Sequence, residues 1–307
     1  RLFYDYAVKK RVSKLFMSIT PDWNKVALEI GDNLNHSELN IAWAEACDNW
    51  LSAMATEFGN DYNVIKSSNF SIMSNENDRY NSLFSAFLER TLKRILVTLK
   101  GIASDEGFGK HVAIIFKNSE QYYDYVGLFY PEAGDFGLSS GMYINDGYGH
   151  FVFPSQELEY AEPTAVHELT HACLDHLPIP LWLNEGIAVL MEEKLAGNDF
   201  YIDQQVVAQH HEYWTTETIQ EFWSGESFHA IDEGQELSYH LAHLLTRNIF
   251  HNFSSYADFI NAANFEDAGE EASQQHLGIS LSYLVGAFLG EGDWTPLEKN
   301  TQLLPQF

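Results

Sequence analysis

Apolar residues recur at helical spacing through the first third of the chain. Cys47, Trp50, Leu51, Met54 and Phe58 fall on one face of a 3.6-residue repeat, as do Leu83, Phe84, Phe87, Leu88, Leu92, Ile95, Leu96 and Leu99. Lys100 and Gly101 supply a stop. Residues 1–105 therefore read as a mainly helical N-terminal region. The period changes after Gly109. His111–Phe116 is a compact β-branched run that predicts a strand, Ser119 to Tyr130 is a Tyr-rich helical pattern, and a Gly-rich loop leads to Gly141. Met142 to Phe153 holds two short aromatic-rich segments around Asn145-Asp146-Gly147, a hairpin signal.

Pro163 suits the first turn of a helix, which predicts a helix from about 163 to 176, ended by Pro178 and Pro180. A second helix is predicted over Leu181–Leu195 with its stop at Gly197, and helical periodicity continues to Gly290. The expected fold is α+β and mostly helical. It has a helical N-terminal region (1–105), a core with a small antiparallel or mixed sheet (106–200), and a helical C-terminal region (201–307) that completes a cleft.

Composition narrows the function. The 307 residues are 45% hydrophobic, enough to bury at least one large core. No run approaches the roughly 18 apolar residues of a membrane-spanning helix, so no membrane insertion is expected and the chain reads as soluble. Lys and Arg number 17 against 44 Asp and Glu, a net charge of −27 at pH 7. Such a surface repels phosphate backbones and anionic headgroups, which argues against nucleic acid as a partner. Cys47 and Cys173 are too few for a disulfide framework or a Cys-based metal site, and both are expected to be buried small hydrophobes. The opening at Arg1 without a signal-like segment reads as the result of removing a leader or flanking region. Compartment and oligomeric state stay open.

The chemistry concentrates in His167-Glu168-Leu169-Thr170-His171. An i, i+4 pair lies on one helix face and can offer two imidazoles to one tetrahedral ion, while a carboxylate beside an open coordination position can take a proton from water. The motif is short enough to arise by chance, so its weight depends on a third donor. Glu185 stands near the start of the next helix, after a short Pro-bounded turn that lets the two helices be antiparallel neighbours. A third histidine in the alternative H-E-x-x-H-x-x-G-x-x-H register is excluded, because Leu174 and Leu177 occupy the Gly and His positions. His176 is one place out of register and reads as a solvent-facing, helix-terminal residue. His210, His211, His240 and His243 read as surface residues, with His240 or His243 as alternative donors close to Tyr239.

His167-Glu168-Leu169-Thr170-His171 followed by Leu181-Trp182-Leu183-Asn184-Glu185-Gly186-Ile187-Ala188 resembles the gluzincin zinc metallopeptidases, most closely the smaller peptidase MA-like relatives of the aminopeptidase N branch. The resemblance is loose over about residues 111–250. It implies a thermolysin-like zincin core, Zn(2+) held by His167, His171 and Glu185, Glu168 as general base, and a peptide or protein substrate. It also implies that Tyr239, in Ser238-Tyr239-His240-Leu241-Ala242, donates to the oxyanion, although the family's Lys-Gly after this Tyr is replaced by Leu-Ala. Gly141-Met142-Tyr143-Ile144-Asn145 stands where the branch carries its amine-binding Gly-Ala-Met-Glu-Asn, which favours endopeptidase over aminopeptidase action. Val189 replaces the carboxylate that thermolysin-like enzymes use to orient a ligand histidine, leaving Glu192 and Asp175 as candidates by sequence proximity. Two rival readings remain. One is a zinc-binding, non-hydrolytic protein that holds a peptide or partner, and the other a helical scaffold in which the motif is accidental.

Overall fold

The computed structural model describes residues 20–31, 33–59, 61–129, 139–197 and 203–297. The start of the N-terminal region, residue 130 and most of the Gly-rich loop before Gly141 lie outside the described residues. The fold is α+β, mostly helical, around a small mixed sheet.

The chain enters through α1 (Trp23–Ile30) and α2 (His36–Phe58). A capping box starts α2: the Asn35 side chain accepts the Glu38 N–H, and the Glu38 carboxylate accepts the Asn35 N–H. Its expected apolar face is the buried one, with Cys47, Trp50, Leu51 and Met54 inside. Helix α3 (Asp78–Thr98) likewise buries Phe84, Phe87, Leu88, Leu92 and Ile95, but Leu83 lies outside that stripe and is 48% exposed.

Between these helices run β1 (Asn63–Lys66) and β2 (Phe70–Ser74), two strands that the hydrophobic pattern does not predict. All five residues of β2 are buried on both faces, so no period-2 alternation betrays it. Its serines are satisfied inside: Ser71 Oγ donates to Asp48 at 2.8 Å, and Ser74 Oγ accepts the Glu76 N–H at 3.0 Å. After β3 (His111–Phe116) come α4 (Ser119–Val126) and the expected hairpin of β4 (Met142–Ile144) and β5 (His150–Pro154). The sheet order is β1-β2-β3-β5-β4, parallel from β2 through β5 and antiparallel at both edges. Residue 105 thus separates β2 from its hydrogen-bonded neighbour β3, and the N-terminal region shares one sheet with the rest.

The sheet has a core on each face. One holds Trp23, Trp50, Met54, Tyr122 and Tyr125. The other holds α3 with α5 (Leu158–Leu174), α6 (Leu181–Ala196), and the helices that follow: α7 (Gln204–Tyr213), α8 (Thr218–Ser224), α9 (Gly234–Asn252), α10 (Tyr256–Ala262) and α11 (Leu281–Leu289). Cys47 and Cys173 are buried free thiols, as expected.

Helix α5 corrects one expectation. It begins at Leu158, five residues before Pro163, and Pro163 lies inside it. The proline forfeits a single N–H donor. The added first turn is held by the Tyr160 and Ala161 N–H groups donating to the Glu157 carbonyl at 3.0 Å, and by complete burial of Ala161. Helix α6 ends as predicted, on Gly197 in the left-handed region (φ 71°). No helix among the described residues is long and apolar enough to cross a membrane.

Candidate metal centre

Helices α5 and α6 pack along each other across the turn at 175–180, which brings the sequence-predicted donors together. The imidazoles of His167 and His171 lie one turn apart, with ring centroids 4.7 Å from each other. Glu185 Oε2 sits 3.0 Å from His167 Nε2 and 3.4 Å from His171 Nε2. Donors at the roughly 2.0–2.2 Å bond lengths of a tetrahedral site stand about 3.4 Å apart. The three ligand atoms all lie within 4.8 Å of one another, the one such group among the described residues, so this donor set fits a metal ion.

Second contacts fix which nitrogen each histidine presents. His167 Nδ1 donates to Glu192 Oε1 at 2.5 Å, and His171 Nδ1 donates to Asn184 Oδ1 at 2.8 Å, so in both rings Nε2 is left to face Glu185. Of the two carboxylates that sequence proximity offers, Glu192 is the one bonded to His167. Asp175 is not: its carboxylate accepts Asn145 Nδ2 at 2.7 Å and ties the β4–β5 turn to the end of α5. Asn184 was not anticipated, and its only sequence signal is its place beside Glu185.

The electrostatics are those of a buried cluster that needs positive charge. Burial opposes a charge on His167, but hydrogen bonds and attraction from Glu185 and Glu192 overcome it and hold the imidazole well above its ordinary range. His171 is raised too, with burial again outweighed, here by Glu185. Burial pushes Glu185 up, yet the two imidazoles hold it far below the usual carboxylate range. With neutral histidines, Glu168, Glu185 and Glu192 would leave three negative charges in a poorly hydrated place. Protons on the histidines relieve this in the metal-free protein, and a divalent cation would do the same.

Glu168 is 6% exposed. Burial raises its carboxyl above the ordinary value, against the attraction of His167 and His171, and the Tyr143 backbone N–H draws it down. The approach of β4 to α5 depends on Gly141: a Cβ there would stand 2.4 Å from Thr164 Cγ2 and 3.3 Å from Glu168 Oε1.

No family model matches the chain, and no curated protein matches it at a significant level. The functional reading rests on the site itself.

Tyr239 lies near the start of α9, its ring 6.4 Å from that of His167 and packed edge-on against Phe228 at 5.2 Å. The histidines around it are not the expected surface residues. His243 is 1% exposed, with Nε2 donating to Glu193 Oε2 at 2.8 Å. His210 is fully buried, its Nδ1 accepting from Trp214 Nε1 at 2.9 Å, and its pKa is pushed down to about 4 by burial and by the nearby His240 and His211. The His240 ring lies 5.8 Å from that of His210. His176 and His211 are exposed, as expected. His229, which the sequence did not single out, ends a 3-10 turn (Glu226–His229) before α9. Its side chain is exposed; partial desolvation lowers its pKa while Glu185, within electrostatic reach, raises it.

Proposed function

We propose that this protein is a zinc metallopeptidase of the gluzincin kind with a thermolysin-like catalytic core, cutting within a peptide or protein chain. The observation that carries the proposal is the convergence of His167, His171 and Glu185 at metal-ligand separations, with buried Glu168 one residue along the same helix from His167. Two imidazoles and one carboxylate are the donor set of catalytic zinc sites that keep a coordination position open. When bound there, zinc acts as a Lewis acid toward the scissile carbonyl and the attacking water.

The chain's own residues supply the rest. Glu168, ionised, takes the proton from the attacking water. It then carries that proton to the leaving amine. Tyr239 donates its hydroxyl hydrogen bond to the carbonyl oxygen as charge gathers there. Strand β4 lies at the edge of the sheet, and its entry at Gly141 lies so near Glu168 that a Cβ there would stand 3.3 Å from the carboxylate. An extended substrate adding to that edge has its backbone carried past the general base.

The test is Glu168→Gln, assayed on a mixed peptide library with and without a chelator. The variant keeps the three ligands and the side-chain size but cannot accept the proton. It is expected to retain one zinc per chain and lose nearly all hydrolysis. Hydrolysis at the wild-type rate would remove Glu168 from the role. A wild-type protein that holds zinc and cleaves nothing would favour the non-hydrolytic binding reading.

A further inference from the structure

Helix α6 ends in two adjacent carboxylates that serve different helices. Glu192 turns to the metal-ligand candidate His167 on α5, and Glu193 turns to α9. There its Oε2 accepts His243 Nε2–H at 2.8 Å, while Oε1 lies 3.6 Å from Arg247 Nη1. His243 is 1% exposed and the Glu193 side chain 22%. A charge-assisted hydrogen bond this sheltered is stronger than a surface ion pair, and losing one partner leaves the other unsatisfied in the protein.

We infer that Glu193, acting through His243, is a positioning residue for Tyr239. His243 follows Tyr239 by four residues on α9, so the two side chains leave the same face one turn, about 6 Å, apart. Holding one fixes where the other stands. Burial of Leu237, Leu241, Leu245 and Ile249 seats α9 in the core, but apolar burial is non-directional and does not by itself aim a polar side chain. Gly186 of α6 lets α9 come close, since a Cβ there would meet the Ala242 carbonyl oxygen at 2.6 Å. That contact sets the distance between the helices and resists sliding only weakly, because small residues present low ridges. Phe228 packs on Tyr239 from a turn bonded to α9, with Ser238 Oγ and Ser227 Oγ 2.6 Å apart, and its ring stacks on Phe222 of α8, so it ties Tyr239 to α8 and not to α6. The Glu193–His243 bond is directional and joins α9 to the helix that carries Glu185 and Glu192.

The inference rests on the reading of Tyr239 as oxyanion donor, and the test separates the two. The first readout is the 13Cζ resonance of Tyr239 in tyrosine-labelled full-length protein, assigned by its loss in Tyr239→Phe. Glu193→Ala is expected to shift it, and Glu193→Gln, which keeps an acceptor oxygen, to restore most of its position. The second is kinetic, on the best peptide from the library. Glu193→Ala should lower kcat about tenfold with KM within a few-fold, and should add nothing in the Tyr239→Phe background. Zinc affinity by chelator competition should stay within about threefold, since the contact of Glu192 with His167 is untouched. An unmoved Tyr239 resonance, or losses that add in the double variant, would overturn the inference. If the wild type cleaves no peptide, the functional reading fails while the resonance still decides the placement. Glu193→Asp, one methylene shorter, gives the same comparisons should the alanine variant not fold.

Discussion

Glu192 Oε1 accepts the Nδ1–H of His167 at 2.5 Å, across the interface of the two helices that carry all three candidate ligands. The bond fixes the tautomer and the ring plane, and it makes the distal nitrogen more basic. Glu192→Ala is therefore expected to weaken zinc binding by about 10–100-fold, read by competition with a chromogenic chelator. Glu192→Gln, which still accepts, should lose less. Equal losses in the two variants would show that the hydrogen bond does not matter and that packing does.

Zinc binding should release protons. His167 is held well above its ordinary pKa in the metal-free protein and so carries a proton at pH 7. A coordinating imidazole must be neutral, so at least about one proton leaves as the metal enters. Calorimetry in two buffers of different ionisation enthalpy reads this number directly. The sign follows: affinity falls as pH drops, because metal and protons compete for the same nitrogens. A proton count near zero would mean that the histidines are already neutral.

The approach of α9 to α6 predicts the cost of one methyl group. A Cβ on Gly186 would lie 2.2 Å from Thr246 Oγ1 and 2.6 Å from the Ala242 carbonyl oxygen. The hydroxyl can rotate away, but the carbonyl belongs to a helix. Gly186→Ala should destabilise the fold by about 1–3 kcal/mol in urea titrations, despite the better helix propensity of alanine. Because Glu185 is the preceding residue, zinc affinity should fall as well.

His150 gives a pH signature away from the metal site. It is 2% exposed; its Nδ1 donates to the Tyr148 carbonyl at 2.7 Å, and its Nε2 accepts from the Tyr125 hydroxyl at 2.8 Å. Burial holds its pKa down at about 4, against the bond to Tyr148. The native ring stays neutral below pH 6.5, where the unfolded chain takes up a proton, so its stabilising contribution fades as pH falls from about 6.5 to 4. The stability difference between wild type and His150→Gln should narrow by about 3 kcal/mol between pH 7 and pH 4. A difference independent of pH would mean that His150 takes up its proton in the native protein as readily as in the unfolded chain.

What could be read from the chain and what could not divide along physical lines. The faces of α2 and α3, the hairpin and the Gly197 stop announce themselves because local periodicity or backbone chirality dictates them. Strand β2 does not, because both its faces are buried and its serines look like loop residues until Asp48 satisfies one of them. At the site, His167, His171 and Glu185 share a spacing that a single ion can use, and that spacing is visible in one dimension. Asn184 as the partner of His171, and the burial of His210 and His243, depend on which helix lies opposite. Nothing in the sequence states that. The early start of α5 was hidden by Pro163, a first-turn residue by preference that a longer helix tolerates.

The stretch of α6 from Glu185 to Glu192 spans seven residues (192 − 185 = 7), close to two full turns, so both carboxylates reach the same neighbouring helix while Glu193 sits a further 100° round and reaches the next one. Gly186 apart, whose missing side chain α9 requires, substituting residues between them leaves these directions alone. Inserting or deleting a single residue would swing Glu192 and Glu193 away from their partners together, by more than a quarter turn. In any descendant of this chain, the length of that stretch should therefore be held more strictly than its composition.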